Sequence, residues 1–149
     1  MKIGIGNDHS ALELKAEIIS FLKEKGHEVV DYGTNSSESC DYPVYGEIVA
    51  RAVAAGEVEQ GILICGTGIG VSIAANKVPG AYAALVNNVY QAQRAQLSNN
   101  ANIITLGAQV TGIELAKCLV KEYLSVTFDP ESRTMPKVAR ITEYEKEGK

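Results

Sequence analysis

Short apolar runs alternate with longer amphipathic stretches along the chain, and the two periodicities predict strands and helices in turn. "KIGIG" (2–6) predicts a first strand. After it Leu12, Leu14, Ile18, Ile19 and Leu22 recur at roughly helical spacing between lysines and glutamates, and Gly26 supplies a stop. "HEVVDYG" (27–33) predicts a second strand running into a glycine turn. A loop of Ser, Asn and Asp leads into "YPVYGEIVARAVAAG" (42–56), a helix closed by Gly56. "GILIC" (61–65) has no polar side chain, as befits a strand covered on both faces, and "VSIAANK" (71–77) continues as a helix. Then come a strand "YAALV" (82–86), a helix "VYQAQRAQLS" (89–98) and a fifth strand "NIITLG" (102–107). "GIELAKCLVKEYL" (112–124) and a stretch from about Pro136 to Glu145 predict two further helices.

Strands separated by helices of this length predict right-handed βαβ units on a parallel sheet. The expected fold is α/β: a three-layer α/β/α sandwich, Rossmann-like, with about five parallel strands in one domain over residues 1–149. Ligands of such sheets bind beyond the carboxyl ends of the strands. That rule selects Asp8, His9, Cys65 to Gly70 and Asn99 as strand-end candidates.

Composition narrows the function classes. Apolar residues make up 46% of the 149 and charged residues 21%, as in ordinary globular chains. A formal charge of −4 argues against a nucleic-acid partner, yet a few local cations can still hold one phosphate. The three cysteines (Cys40, Cys65, Cys118) have neither metal nor disulfide spacing, which predicts free thiols and a cytoplasmic location. "MKIGIGNDHS" lacks a signal-type apolar region, and no apolar stretch is long enough to predict a membrane span.

The densest chemistry lies in "CGTGIG" (65–70). A glycine-rich turn from strand to helix exposes backbone N–H groups that can bind a phosphate or a developing oxyanion. The same groups would favour a thiolate at Cys65 if the sulfur faces them. A small apolar side chain packed beside a tight turn is the competing reading, and the residues alone leave both open. Gly66, Gly68 and Gly70 are spaced G-x-G-x-G, one residue short of the dinucleotide fingerprint, and the next strand ends in Val86-Asn87-Asn88 without an acid for a ribose.

In "NDHS", Asp8 and His9 are neighbours on a strand end and so point apart; Asp8 or Ser10 also suits a helix cap. With only two histidines, His9 and His27, no metal site is expected. Arg133 and Lys137 are four apart, so a helix would put them on one face, either as a solvated surface or as a phosphate clamp. Tyr42 and Tyr45 can pack as ordinary aromatics or place a hydroxyl in a cleft.

"GNDHSALELK", "DYPVYG", "GILICGTGIGVSIAANKVPG", "NNANIITLG" and the Arg133/Lys137 pair together resemble the ribose-5-phosphate isomerase B family, which includes the galactose-6-phosphate isomerase subunits. The resemblance spans nearly the whole chain. It implies an aldose–ketose isomerase that works through a cis-enediolate with no metal and no organic cofactor. By that resemblance Cys65 is the base, Gly66 to Gly70 hold the enediolate oxygen and Thr67 relays hydroxyl protons. Asp8, Tyr42 and Asn99 would contact sugar hydroxyls, and His9, Arg133 and Lys137 the phosphate. The site would lie between subunits of a homodimer, which pairs in some members into a homotetramer.

The chain departs from the family pattern in five places, the first being Lys137, where an arginine is usual. Ser98 stands where ring-opening members have a histidine, Gln109 and Tyr82 where arginines are usual, and "GGRH" is missing around 131–134. Ribose 5-phosphate is the expected substrate by family default. A tetrose 4-phosphate, a role as one chain of a heteromeric galactose-6-phosphate isomerase, and a non-catalytic sugar-phosphate binder are the alternatives.

Overall fold

The computed structural model of the protein describes residues 1–148. The elements run β1 (Lys2–Asn7), α1 (Leu12–Glu24), β2 (Glu28–Asp31), α2 (Tyr42–Ala54), β3 (Gln60–Cys65), α3 (Ile69–Ala75), β4 (Ala83–Leu85), α4 (Val89–Leu97), β5 (Ile103–Gly107), α5 (Ile113–Leu124) and α6 (Met135–Glu147). The five strands form one sheet in the order β2-β1-β3-β5-β4, and every neighbouring pair is parallel. This is the Rossmann-like arrangement that the alternating pattern predicts.

Side-chain alternation in β3 shows how the layers are built. Ile62 and Ile64 join Ile18 and Leu22 of α1, Ala92 of α4 and Leu119 of α5 in one core. Leu63 and Cys65 point the other way, into a second core with Val49 and Val53 of α2 and Val71 of α3. Cys65 is therefore placed by strand register on the α2–α3 side of the sheet.

The boundaries shift where side chains redirect the backbone. β2 stops at Asp31, short of Gly33, because the Asp31 carboxylate turns back to accept the Gly33 N–H (2.9 Å) and to pair with Lys15 (3.1 Å). α3 begins at Ile69 rather than Val71, because Gly68 adopts a left-handed φ of 78° and turns the chain two residues early. Gly70 thus lies inside the helix. α6 begins at Met135, which leaves Arg133 in the turn before it rather than on a shared helix face with Lys137. No residue of α6 is buried. Glu145 ties it to the sheet edge by accepting from the Gly80 N–H (3.0 Å) and the Tyr82 hydroxyl (2.9 Å). No described helix is long and apolar enough to cross a membrane.

Candidate active site

At the carboxyl end of β3 the backbone turns through Gly66, Thr67 and Gly68 into α3. The Gly68 N–H donates to Cys65 Sγ at 3.1 Å. Cys65 is only 4% exposed and packs in the α2–α3 core, so it is both an apolar filler and a sulfur facing a turn N–H. Three contacts hold the turn: the Thr105 hydroxyl donates to the Gly68 carbonyl (2.8 Å), and the N–H groups of Ala108 and Gln109 donate to the carbonyls of Cys65 (2.8 Å) and Gly66 (3.0 Å).

The glycines here are required by close approach. A Cβ on Gly68 would stand 2.8 Å from the Leu106 carbonyl carbon, and one on Gly70 would collide with the Tyr42 ring. Tyr42 therefore lies over the first turn of α3, half-exposed at the rim of the same turn. Thr67 is exposed, and its hydroxyl oxygen accepts the Ile69 N–H (3.2 Å), leaving the hydroxyl proton free to donate.

Asp8 continues from β1 beside this turn, its N–H donating to the Ile64 carbonyl (3.2 Å). Its carboxylate accepts the Ser10 N–H (3.0 Å) and hydroxyl, capping a short 3-10 turn over His9–Ala11. His9 instead accepts the Cys40 N–H at Nδ1 (3.2 Å), so the two neighbours take separate partners. An acceptor at Nδ1 puts the proton of a neutral imidazole on Nε2, where it can donate.

The loop carrying Cys40 is pinned by a lysine. Lys15 is 3% exposed and donates to the Thr34 carbonyl (2.6 Å) and Asn35 Oδ1 (2.8 Å) besides pairing with Asp31. Within "GNDHSALELK" Lys15 reads as one more polar position of an amphipathic helix, and only the loop's return over α1 reveals its role.

The remaining candidates gather at the other end of the sheet. Ser98, Asn99, Arg133 and Lys137 line one concavity between α4 and α6, together with Arg94. Asn99 follows α4 and precedes β5, whereas Cys65 pairs in register with Gly107, the last residue of β5. Placing Asn99 among carboxyl-end residues is thus corrected: it stands at the amino end. The ladder from Gly61 to Cys65 alone separates the two groups by about 13 Å, at ~3.3 Å per residue. One copy of the chain brings Asp8, His9, Tyr42, Cys65, Gly66, Thr67, Gly68 and Gly70 together, but not with Ser98, Asn99, Arg133 or Lys137.

Two departures from the family pattern have visible partners. Tyr82 is committed to Glu145, and burial above all, with that carboxylate beside it, raises its phenol above the ordinary pKa. Gln109 sits at the Cys65 end instead, where a Cβ on Gly66 would lie 3.3 Å from its amide oxygen. Among the described residues no three His, Cys, Asp or Glu cluster as a metal site.

The family model described as Ribose/Galactose Isomerase matches residues 3–141. The chain belongs to the ribose/galactose isomerase family. Like its relatives in that family it is a sugar-phosphate isomerase, so the non-catalytic reading falls away. It is 47% identical over 144 residues to ribose-5-phosphate isomerase B of Escherichia coli, covering 97% of this chain and 96% of that protein. To the D-erythrulose-4-phosphate isomerase of Pectobacterium atrosepticum it is 43% identical over 150 residues, covering 100% and 98%. The solved structure of Clostridium thermocellum ribose-5-phosphate isomerase B superposes with a TM-score of 0.97 at 50% identity, covering both chains fully. Members of the ribose/galactose isomerase family thus share this fold and differ in the sugar named.

Proposed function

We propose that this isomerase interconverts an aldose phosphate and its ketose through a cis-enediolate, with ribose 5-phosphate as the first substrate to test. The Cys65 thiolate takes the proton from C2 of the open-chain aldose and the resulting thiol returns it to C1. The O2 proton passes to O1 through the Thr67 hydroxyl. No metal or cofactor takes part. The enediolate oxygen is held by N–H groups of the 66–70 turn, which contribute a few kcal/mol by being oriented beforehand. The observation that carries this reading is the Gly68 N–H on Cys65 Sγ, in a turn whose close contacts allow little rearrangement.

We infer further that the working unit is a homodimer, single or paired into a homotetramer, in which one copy supplies Cys65 and the other Ser98, Asn99, Arg133 and Lys137. The separation of these groups along the sheet supports it. So does the apolar surface beside the Cys65 turn, where Ile69 and Ile73 stand one turn apart on α3, 52% and 59% exposed, on the helix whose Gly70 lies against the Tyr42 ring.

Mixing inactive Cys65→Ser chains with inactive Arg133→Ala/Lys137→Ala chains tests both statements. Random exchange should restore up to about a quarter of wild-type activity, since half the dimers are mixed and each holds one intact site. No recovery after demonstrated exchange would place all these residues in one copy's site. A four-carbon sugar phosphate is the second reading, favoured by Ser98: a serine is a poor proton carrier at neutral pH, and an acyclic substrate needs no ring opening. The organism's cytoplasm fits either substrate.

A further inference from the structure

The concavity between α4 and α6 holds a third cation that no motif singled out. Arg94 is half-buried one helical turn before Ser98, and its Nε donates to Ser98 Oγ at 2.6 Å. That bond fixes the guanidinium at the wall shared with Asn99, Arg133 and Lys137. Arg94, Arg133 and Lys137 enter no ion pair among the described residues, and no Asp or Glu lines the concavity. In a chain of net charge −4, three cations facing one hollow without a carboxylate repel each other until an anion enters. A guanidinium held at one nitrogen still offers its other N–H groups as a fork that matches a phosphate.

We propose that Arg94 binds the terminal phosphate of the sugar together with Arg133 and Lys137, and that its hold on Ser98 Oγ leaves the serine proton to donate to the same ligand. The assignment rests on the proposed sugar-phosphate site and adds a residue to it.

The test compares wild type with Arg94→Ala, Arg94→Gln and Arg94→Lys in two measurements. In steady-state kinetics on whichever sugar phosphate the wild type turns over best, Arg94→Ala should raise KM about tenfold or more, with kcat changed by less than about threefold. Inorganic phosphate, titrated calorimetrically against the substrate-free protein, should bind about tenfold more weakly to Arg94→Ala and Arg94→Gln. Arg94→Lys should recover most of that loss, because it keeps the charge. Wild-type phosphate affinity in either uncharged variant would overturn the proposal, as would a lower melting temperature with KM unchanged. Should Arg94→Ala fold poorly, Arg94→Gln, which keeps a polar, helix-forming side chain, carries the comparison. A wild type that isomerises no sugar phosphate would count against the proposed function, while the phosphate titration still decides Arg94.

Discussion

The two ends of the sheet solve different physical problems. At the carboxyl end, Cys65 is nearly inaccessible, its turn is held by three hydrogen bonds from β5 and the residues just after it, and Gly68 and Gly70 lie too close to backbone or ring atoms to accept a side chain. At the amino end, the candidate phosphate ligands are an exposed Arg133 in a turn and an exposed Lys137 on a helix that buries none of its residues. Proton transfer at carbon demands reacting atoms held within a fraction of an ångström, which packed strand ends supply. Holding a phosphate demands charge and reach, which flexible cations on a lightly anchored helix supply just as well. On the proposed roles, rigidity is concentrated at the end assigned the proton transfer, and adaptability at the end assigned the ligand's charge.

The comparison breaks most sharply at Cys65. Cys65→Ser keeps the shape of the turn and removes the thiol proposed as the base, so turnover should fall at least about 10²-fold while the circular-dichroism spectrum and melting temperature stay near wild type. Near-normal turnover in that variant would take the chemistry away from the rigid end. Ser98→His sharpens the other end. It should raise kcat/KM several-fold for a ring-closed phosphosugar and leave an acyclic four-carbon one nearly unchanged, at the scale of about one good acid–base contact. Equal effects on both would show that ring opening is not limited at that position.

The anchoring of α6 gives a smaller signal. Glu145→Gln weakens its bonds to Gly80 and Tyr82 and should cost about 1 kcal/mol in denaturant unfolding. If the phosphate end tolerates looseness, KM should rise more than kcat falls; a collapse of kcat would mean that α6 reaches the reacting carbons. The smallest expected effect is none. Prolonged treatment with a strong chelator should leave activity unchanged, and a loss that zinc or manganese restores would bring a metal into the reaction.

The element pattern was legible because strands and helices with alternating periods need no partner to be recognised. Boundaries were less so: Asp31 ends its strand by bonding to Lys15 and Gly33, and such returns leave no periodicity. Cys65 and the glycine turn stood out because their spacing is itself the geometry. Lys15, the Cys40 N–H on His9 and Arg94 did not, because a lysine or arginine on a polar helix face looks the same whether it meets solvent or a loop.

The sequence by itself determined the α/β order, the parallel sheet and the place of Cys65 at a strand end, since these follow from local composition and spacing, and its motifs carried the resemblance to the family. Only the tertiary structure decided that Cys65 Sγ faces the Gly68 N–H, that Tyr42 covers Gly70, and that Asn99, Arg133 and Lys137 lie at the opposite end of the sheet from the cysteine. The reason is that these contacts join segments remote in sequence. A sequence records which residues stand at the ends of elements, but how a side chain is aimed and which distant segments meet there depend on packing between elements far apart in the chain.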